Sequence, residues 1–384
     1  MRIDSRLIHG TGPSPDGGVL PAIQLSSTFI QPTDGTEGEW VYQRGGNPTR
    51  DAAEKLLASM EDAEHAVLFS TGMAASSAVF SIVKPGEKVL LCRSVYGGTY
   101  RYVTTYFERY GISYDWIDDP NLLTAADVTP DVALVFIETP SNPTLDVMDI
   151  AHVAKVAHEG GALLAVDNTF LTAYLQRPLD LGADICVYSA TKYLGGHADL
   201  LAGLVVTNDD ELAEEFKFYR KTYGGALSPF DAFSLIRGVK TLSVRLDRQQ
   251  ENTHRVIDFL KERPEIVELN YPGSKSPEEA AIQARQAAGT GAVISFRLAE
   301  GADRKAFLDN LGFIRYAVSL GGVETLICTP ATQTHEAYTP EHRAAARISD
   351  DLFRLAIGIE DIADIIELLS AGLAAATAEI HETN

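Results

Sequence analysis

Six short apolar runs, separated by stretches of helical character, constrain this chain more than any other feature. They fall at 65–70, 88–92, 132–138, 162–167, 185–189 and 203–207. Their hydrophobicity is nearly continuous and does not alternate, which is the pattern of strands covered on both faces. Helices are expected between them at about 49–62, 72–83, 98–110, 148–160 and 209–222. Strand–helix alternation of this kind predicts an α/β unit, with a mostly parallel sheet layered between helices. Such a sheet gathers ligands at the carboxyl ends of its strands, so those ends are the places to look for chemistry.

The remainder is organised differently. After Pro229 the next proline is Pro264, and the run 229–262 is rich in Leu, Arg and Glu. It predicts one long, bent helix leaving the main unit. Beyond it come an apolar run at 292–298, a helix at 302–311 and a strand at 353–358. These predict a smaller α+β domain. The first 48 residues carry many Gly and Pro and little periodicity, and predict an extended arm. With 384 residues the chain suits two to three units. The divisions are an arm at 1–48, an α/β domain at 49–248 and a C-terminal domain at 249–384.

Charge and motif absences narrow the function. Against 32 Lys+Arg stand 53 Asp+Glu, a net charge of −21. An acidic surface disfavours nucleic acid and anionic membranes as partners. No secretory leader and no apolar span of membrane length is read from the sequence, so a cytoplasmic location is expected. Cys92, Cys186 and Cys328 are too few and too irregularly spaced for a disulfide framework. A P-loop, a GxGxxG turn, a GxSxG elbow and an HExxH pair are all missing. Nucleotide hydrolysis, nicotinamide chemistry and serine hydrolysis become poor fits, and no metal is expected.

Chemistry converges on three strand ends. Lys192 follows the strand at 185–189, where partial desolvation would lower its pKa and make the amine nucleophilic. Asp167 ends an apolar strand 25 residues earlier, and a buried carboxylate needs a partner. Ser70-Thr71-Gly72-Met73 follows another strand and opens a helix, a ready phosphate site. Ser189 and Thr191 flank the Lys with hydroxyls. Taken singly, each has an ordinary structural explanation: a surface lysine, a helix cap, turn residues. Together, an amine, a carboxylate and a phosphate cradle are what pyridoxal 5′-phosphate (PLP) requires.

Longer stretches then carry a resemblance. Tyr42-Gln43-Arg44-Gly45-Gly46-Asn47-Pro48, Val95-Tyr96-Gly97-Gly98-Thr99 and Glu138-Thr139-Pro140-Ser141-Asn142-Pro143 occur in order. Val166-Asp167-Asn168-Thr169, Ser189-Ala190-Thr191-Lys192, Ser319-Leu320-Gly321-Gly322-Val323-Glu324 and Arg354-Leu355-Ala356 follow. Over nearly its whole length the sequence resembles the Cys/Met-metabolism family of PLP enzymes. The resemblance implies a PLP-dependent transferase-like (aspartate aminotransferase-like) large domain. It makes Lys192 the Schiff-base lysine and proton carrier, and Asp167 the partner of the ring nitrogen. Tyr96 would stack on the ring and exchange protons. Gly72, Met73, Ser189 and Thr191 would hold the phosphate, with Asn142 near the ring hydroxyl. Arg354 would grip the substrate carboxylate, aided by Ser319 and Glu324. Tyr42 and Arg44 would reach the phosphate of a neighbouring subunit in a homotetramer.

The implied reaction is γ-elimination from an amino acid with a sulfur- or oxygen-linked γ-substituent, giving 2-oxobutanoate or a related keto acid and ammonia. γ-Replacement, as in a cystathionine γ-synthase, is the alternative. Methionine γ-lyase, cystathionine β-lyase and a lyase for a homoserine ether such as canavanine are weaker ones. A PLP-binding regulator without turnover fits poorly with an intact Lys192, Asp167, Tyr96 and Arg354. Several positions depart from the family pattern. Gly98 stands where methionine γ-lyases carry Cys, and Leu320 where one type of β-lyase carries Trp. Gln43 replaces a common Ser. Gln333, Glu336 and Tyr338 are expected to face the leaving-group side of the pocket.

Overall fold

All six apolar runs are strands of one sheet in a computed structural model that describes residues 1–14 and 17–382. The sheet comprises β1 (His65–Phe69), β2 (Lys88–Cys92), β3 (Ser113–Ile117), β4 (Val132–Glu138), β5 (Leu163–Asp167), β6 (Ile185–Tyr188) and β7 (Gly203–Thr207). Their spatial order is β1-β7-β6-β5-β4-β2-β3. Strands β2 to β6 pair in parallel, while β7 runs antiparallel to both β6 and β1. Continuous hydrophobicity has its expected cause. Val67, Phe69 and Val205 enter the core on one face, and Ala66, Leu68, Leu204 and Val206 enter the core on the other.

Strand β3 has no counterpart in the expected set. It lies at the sheet edge with Ser113 and Asp115 exposed, so it alternates and lacks an apolar run. Asp115 receives Lys88 Nζ of β2 at 3.2 Å.

Three helices that frame the sheet begin where a side chain accepts their first N–H groups. Asn47 caps Pro48–Glu61 by accepting from Thr49 and Arg50, Thr71 caps Gly72–Phe80, and Asp149 caps Ile150–Glu159.

The run 229–262 is two helices, Pro229–Val239 and Leu242–Lys261, not one. Arg245 explains the break. Its Nη2 donates to the carbonyls of Gly238 and Tyr193, each at 2.9 Å, and its Nε to Thr241 Oγ1 at 3.1 Å. The carbonyl of Gly238 is thus drawn to Arg245, which also fastens the turn after Lys192.

A second sheet holds β8 (Ile266–Asn270), β9 (Val293–Leu298), β10 (Arg315–Tyr316), β11 (Leu326–Cys328) and β12 (Leu352–Ala356), in the order β10-β11-β12-β9-β8. The helix Ile362–Glu382 and the long helix from Leu242 pack a separate core with it, through Val256, Phe296, Phe353, Leu369 and Leu373. The N-terminal segment is not uniformly extended. Ile3–His9 is a helix with Leu7 buried, and Lys240 Nζ donates to the carbonyl of Ile8 at 2.7 Å. Between it and Pro48 the chain is largely open, with Val19, Leu25 and Ile30 exposed.

Candidate active site

The carboxyl ends of β1, β4, β5 and β6 open into one cavity, and the second sheet closes its far side. Gly72 and Met73 enter from the turn after β1, Glu138 from the end of β4, Asp167 from the end of β5, and Ser189, Thr191 and Lys192 from the turn after β6. Val318, Ser319, Leu320, Thr334 and Arg354 complete the enclosure.

Lys192 Nζ donates to Ser319 Oγ at 2.8 Å. Burial, reinforced by the nearby Arg354 guanidinium, brings the amine down to about 8. Ser319 holds a left-handed backbone, with φ 93°, and its carbonyl accepts from Arg354 Nη2 at 2.9 Å. A non-glycine residue in that region is uncommon and concentrates at functional sites. Arg354 is buried on β12. Its Nη1 donates to Asn142 Oδ1 at 3.0 Å, and its Nε has no protein acceptor. A buried guanidinium with a free donor is built to receive an anion.

Burial raises Asp167 to about 6, against donations from the Thr169 hydroxyl at 2.6 Å and Thr169 N–H at 3.0 Å. No cation of the chain pairs with it among the described residues. A protonated ring nitrogen would supply that missing charge. At the opposite end, the helix Gly72–Phe80 leaves its first N–H groups without helical partners. A Cβ on Gly72 would lie 2.9 Å from Ser189 Oγ, so only glycine lets the helix end approach this turn. Amine, carboxylate and helix terminus therefore fit a phosphate-bearing pyridine aldehyde.

Tyr96 precedes the helix Gly97–Tyr106 and donates its backbone N–H to Glu138 Oε2 at 2.7 Å. A Cβ on Gly98 would stand 2.5 Å from Tyr96 Cε1 and 2.9 Å from Met73 Sδ. Any side chain at Gly98 would therefore meet both the Tyr96 ring and Met73. Thr191 is committed within the chain: its hydroxyl donates to the Ala202 carbonyl at 3.2 Å and accepts from Ala202 N–H at 3.0 Å.

Several expected residues lie elsewhere. Glu324 is exposed and does not line the cavity; its carboxylate folds back beside Gly322. Tyr42 and Arg44, expected at a neighbouring subunit's cavity and not at this one, line no part of it. Tyr42 is half exposed, with the Arg44 guanidinium 5.4 Å from its ring centre. Tyr338 is buried, and its hydroxyl donates to the Val95 carbonyl at 2.6 Å and accepts Val95 N–H at 3.1 Å. It braces the turn before Tyr96 and does not face a leaving group. Gln333 Oε1 accepts from Thr329 N–H at 3.0 Å, and Glu336 is exposed. Thr334 alone of that segment lines the cavity.

Two residues escaped the sequence reading. Glu138 ends β4 as Asp167 ends β5, so the same logic could have found it. His335 is fully buried, with Nε2 3.0 Å from the Asn142 carbonyl and Nδ1 2.9 Å from Thr334 Oγ1. Burial and Arg354 hold the imidazole down at about 3, so it stays neutral and steadies Asn142. Nothing local in the sequence signals that long-range contact.

An α/β sheet presenting a buried lysine, an aspartate and a helix end in one cavity defines a PLP-dependent enzyme of the aspartate aminotransferase-like fold. The family model for Cys/Met metabolism PLP-dependent enzymes matches residues 5–374. The chain belongs to that family, PLP is its cofactor, and it is a PLP-dependent lyase. It is 42% identical over 381 residues to the cystathionine gamma-lyase of Dictyostelium discoideum, covering 97% of each chain. The solved structure of cystathionine gamma-lyase from Lactobacillus plantarum, complexed with L-serine, superposes with a TM-score of 0.95 at 36% identity. It covers 98% of this chain and 100% of that one. A cystathionine gamma synthase from Xanthomonas oryzae pv. oryzae, with aminoacrylate and cysteine bound, gives 0.94 at 40% identity. The match spans 98% of this chain and 99% of that one.

Proposed function

We propose that the chain catalyses γ-elimination from an L-amino acid whose γ-carbon carries a sulfur or oxygen substituent, with cystathionine as the leading substrate. The products are 2-oxobutanoate or a related keto acid, ammonia and the released group. One observation carries the reading: the Lys192 amine, brought down to about 8, shares one cavity with Asp167 and with Arg354, whose Nε is free.

When bound, PLP supplies an electron sink for the charge left at the substrate α-carbon. Arg354 receives the α-carboxylate and fixes the orientation of the Cα–H bond. Lys192, lowered to about 8, can hold or release a proton near neutral pH. As a neutral amine it would take the Cα proton, hand it on, and then take a second proton from Cβ, so that the electron pair of that C–H bond forms the Cβ–Cγ double bond as the γ-substituent leaves. Ser319, bonded to Nζ at 2.8 Å, steers the amine. Tyr96, which lines the cavity, would protonate the departing substituent. Gly72, Met73 and Ser189 would hold the phosphate, with Thr191 bracing their turn through Ala202, and Asn142 would lie near the ring hydroxyl.

γ-Replacement is the second reading, supported by the similarity to the Xanthomonas gamma synthase. A panel of cystathionine, homocysteine, methionine, O-acetylhomoserine, O-succinylhomoserine and canavanine, with and without cysteine, separates the two. Keto acid formed without a thiol is the expected result. A new thioether appearing faster than keto acid would favour replacement.

The active site is completed by a second copy, through Tyr42 and Arg44, in a dimer that pairs into a tetramer. The exposed, apolar arm and the absence of both residues from their own cavity support this arrangement. A cytoplasmic setting is supported by three free, buried cysteines. No helix among the described residues is long and apolar enough to cross a membrane.

A further inference from the structure

The last residues of β4 and β5 stand side by side, Glu138 opposite Asp167 in parallel register. Residues so paired send their side chains to the same face, and both carboxyls line the cavity. Two carboxyl groups in one buried site do not ionise together. Their surroundings divide them. Asp167 accepts two hydrogen bonds from Thr169, which favour its charged form. Glu138 accepts only the Tyr96 N–H, at 2.7 Å, among the contacts of its carboxyl.

The groups facing Glu138 are Asp167 from β5, Cys92 from β2, Tyr338 from the segment after β11, and Arg354 from β12. Cys92 Sγ accepts the Glu138 backbone N–H at 3.3 Å. Burial and the neighbouring Asp167 push the Glu138 carboxyl well above the usual range, against the Tyr96 N–H and Arg354.

We propose that Glu138 is a positioning residue. As a neutral carboxylic acid it pins the Tyr96 turn through its backbone N–H, and it leaves Asp167 as the single negative charge at the ring-nitrogen end. The second half of this statement rests on the role given to Asp167 under the proposed function; the first half does not. Tyr96 has no side-chain cap for the helix that follows it; its carbonyl accepts from Thr99 and Tyr100, Tyr338 braces Val95 before it, and Glu138 is the acceptor that holds the Tyr96 N–H itself.

Two substitutions separate the parts. Glu138→Gln keeps a neutral acceptor, whereas Glu138→Ala removes the acceptor. In apoprotein melts from about pH 6 to about pH 9, the parent should lose stability relative to Glu138→Gln. A carboxyl whose folded pKa is raised stabilises at low pH, and that contribution is lost as pH rises. In the holoenzyme, Glu138→Gln should stay within about threefold of the parent in PLP dissociation constant and kcat, since the hydrogen bond survives. Glu138→Ala should weaken PLP binding about tenfold and change the circular dichroism of the bound cofactor, as Tyr96 shifts. The proposal is overturned if Glu138→Gln loses PLP as badly as Glu138→Ala, or if parent and Gln variant melt in parallel across the pH range. The melts need neither cofactor nor substrate, so they decide the point even if the assigned reaction is wrong or the Ala variant does not fold.

Discussion

The two walls of the cavity are built on different principles. The cofactor wall consists of strand ends of the large sheet: Gly72 and Met73 after β1, Glu138, Asp167, and the Lys192 turn after β6. Each group sits within a few residues of a strand whose place is fixed by burial on both faces. The substrate wall is assembled from a distance. Arg354 comes from the second sheet, Ser319 from a strained loop, and Thr334 and His335 from a segment after β11. Hydrogen bonds across long sequence separations, such as Arg354 to Asn142 and His335 to Asn142, join the walls. A scaffold of regular strand ends suits chemistry shared across a family, while a wall of loops can vary with the substrate.

The largest way to break this division is Lys192→Ala on the cofactor wall. Turnover should fall by about a thousandfold or more, because one group is both the attachment point and the proton carrier. Melting should be little changed, which calorimetry on the apoprotein would check. Arg354→Ala attacks the other wall. It should lower kcat/KM about a hundredfold by removing a charged hydrogen-bond donor. PLP affinity, measured by fluorescence titration, should move far less. Equal losses in both would erase the distinction between the walls.

Gly98→Ala tests the seam. The new methyl would press on the Tyr96 ring and Met73, both within 3 Å of its position. A loss of about tenfold in kcat with a smaller change in melting is expected, at the scale of misplacing a single acid–base or stacking group. The smallest effect serves as a control outside both walls. Glu61 is buried with neither carboxyl oxygen partnered, and burial raises it to about 8. Its stabilising contribution is therefore present at low pH and lost as pH rises from about 4.5 to about 8. Glu61→Gln should melt like the parent near pH 5 and a few degrees higher near pH 8, with kcat unaltered.

The same asymmetry decided what the sequence could disclose. Lys192, Asp167 and Gly72 follow apolar runs, so their meeting at one sheet edge could be inferred from periodicity and the rule for strand ends. Glu138 was within reach of that inference, and only its neighbour Asp167 drew it. On the other wall, periodicity carries no such information. Tyr338 resembles a pocket residue in sequence, yet its hydroxyl braces Val95 across 243 positions of chain. Glu324 lies inside a matching stretch, yet its side chain is exposed. The break at Lys240 and Thr241 depends on Arg245 reaching back to Gly238, a contact that composition does not reveal. Strand β3 escaped because an edge strand alternates and so lacks a continuous apolar run.

The central claim is that the amine of Lys192 carries the cofactor. Reduction of the PLP-loaded protein with borohydride, followed by peptide mapping, tests it directly. The expected result is a single pyridoxyl-labelled peptide bearing Lys192, with labelling of the apoprotein by added PLP accelerating as pH rises through about 8. Label on another lysine, or none after saturation with PLP, would contradict the account.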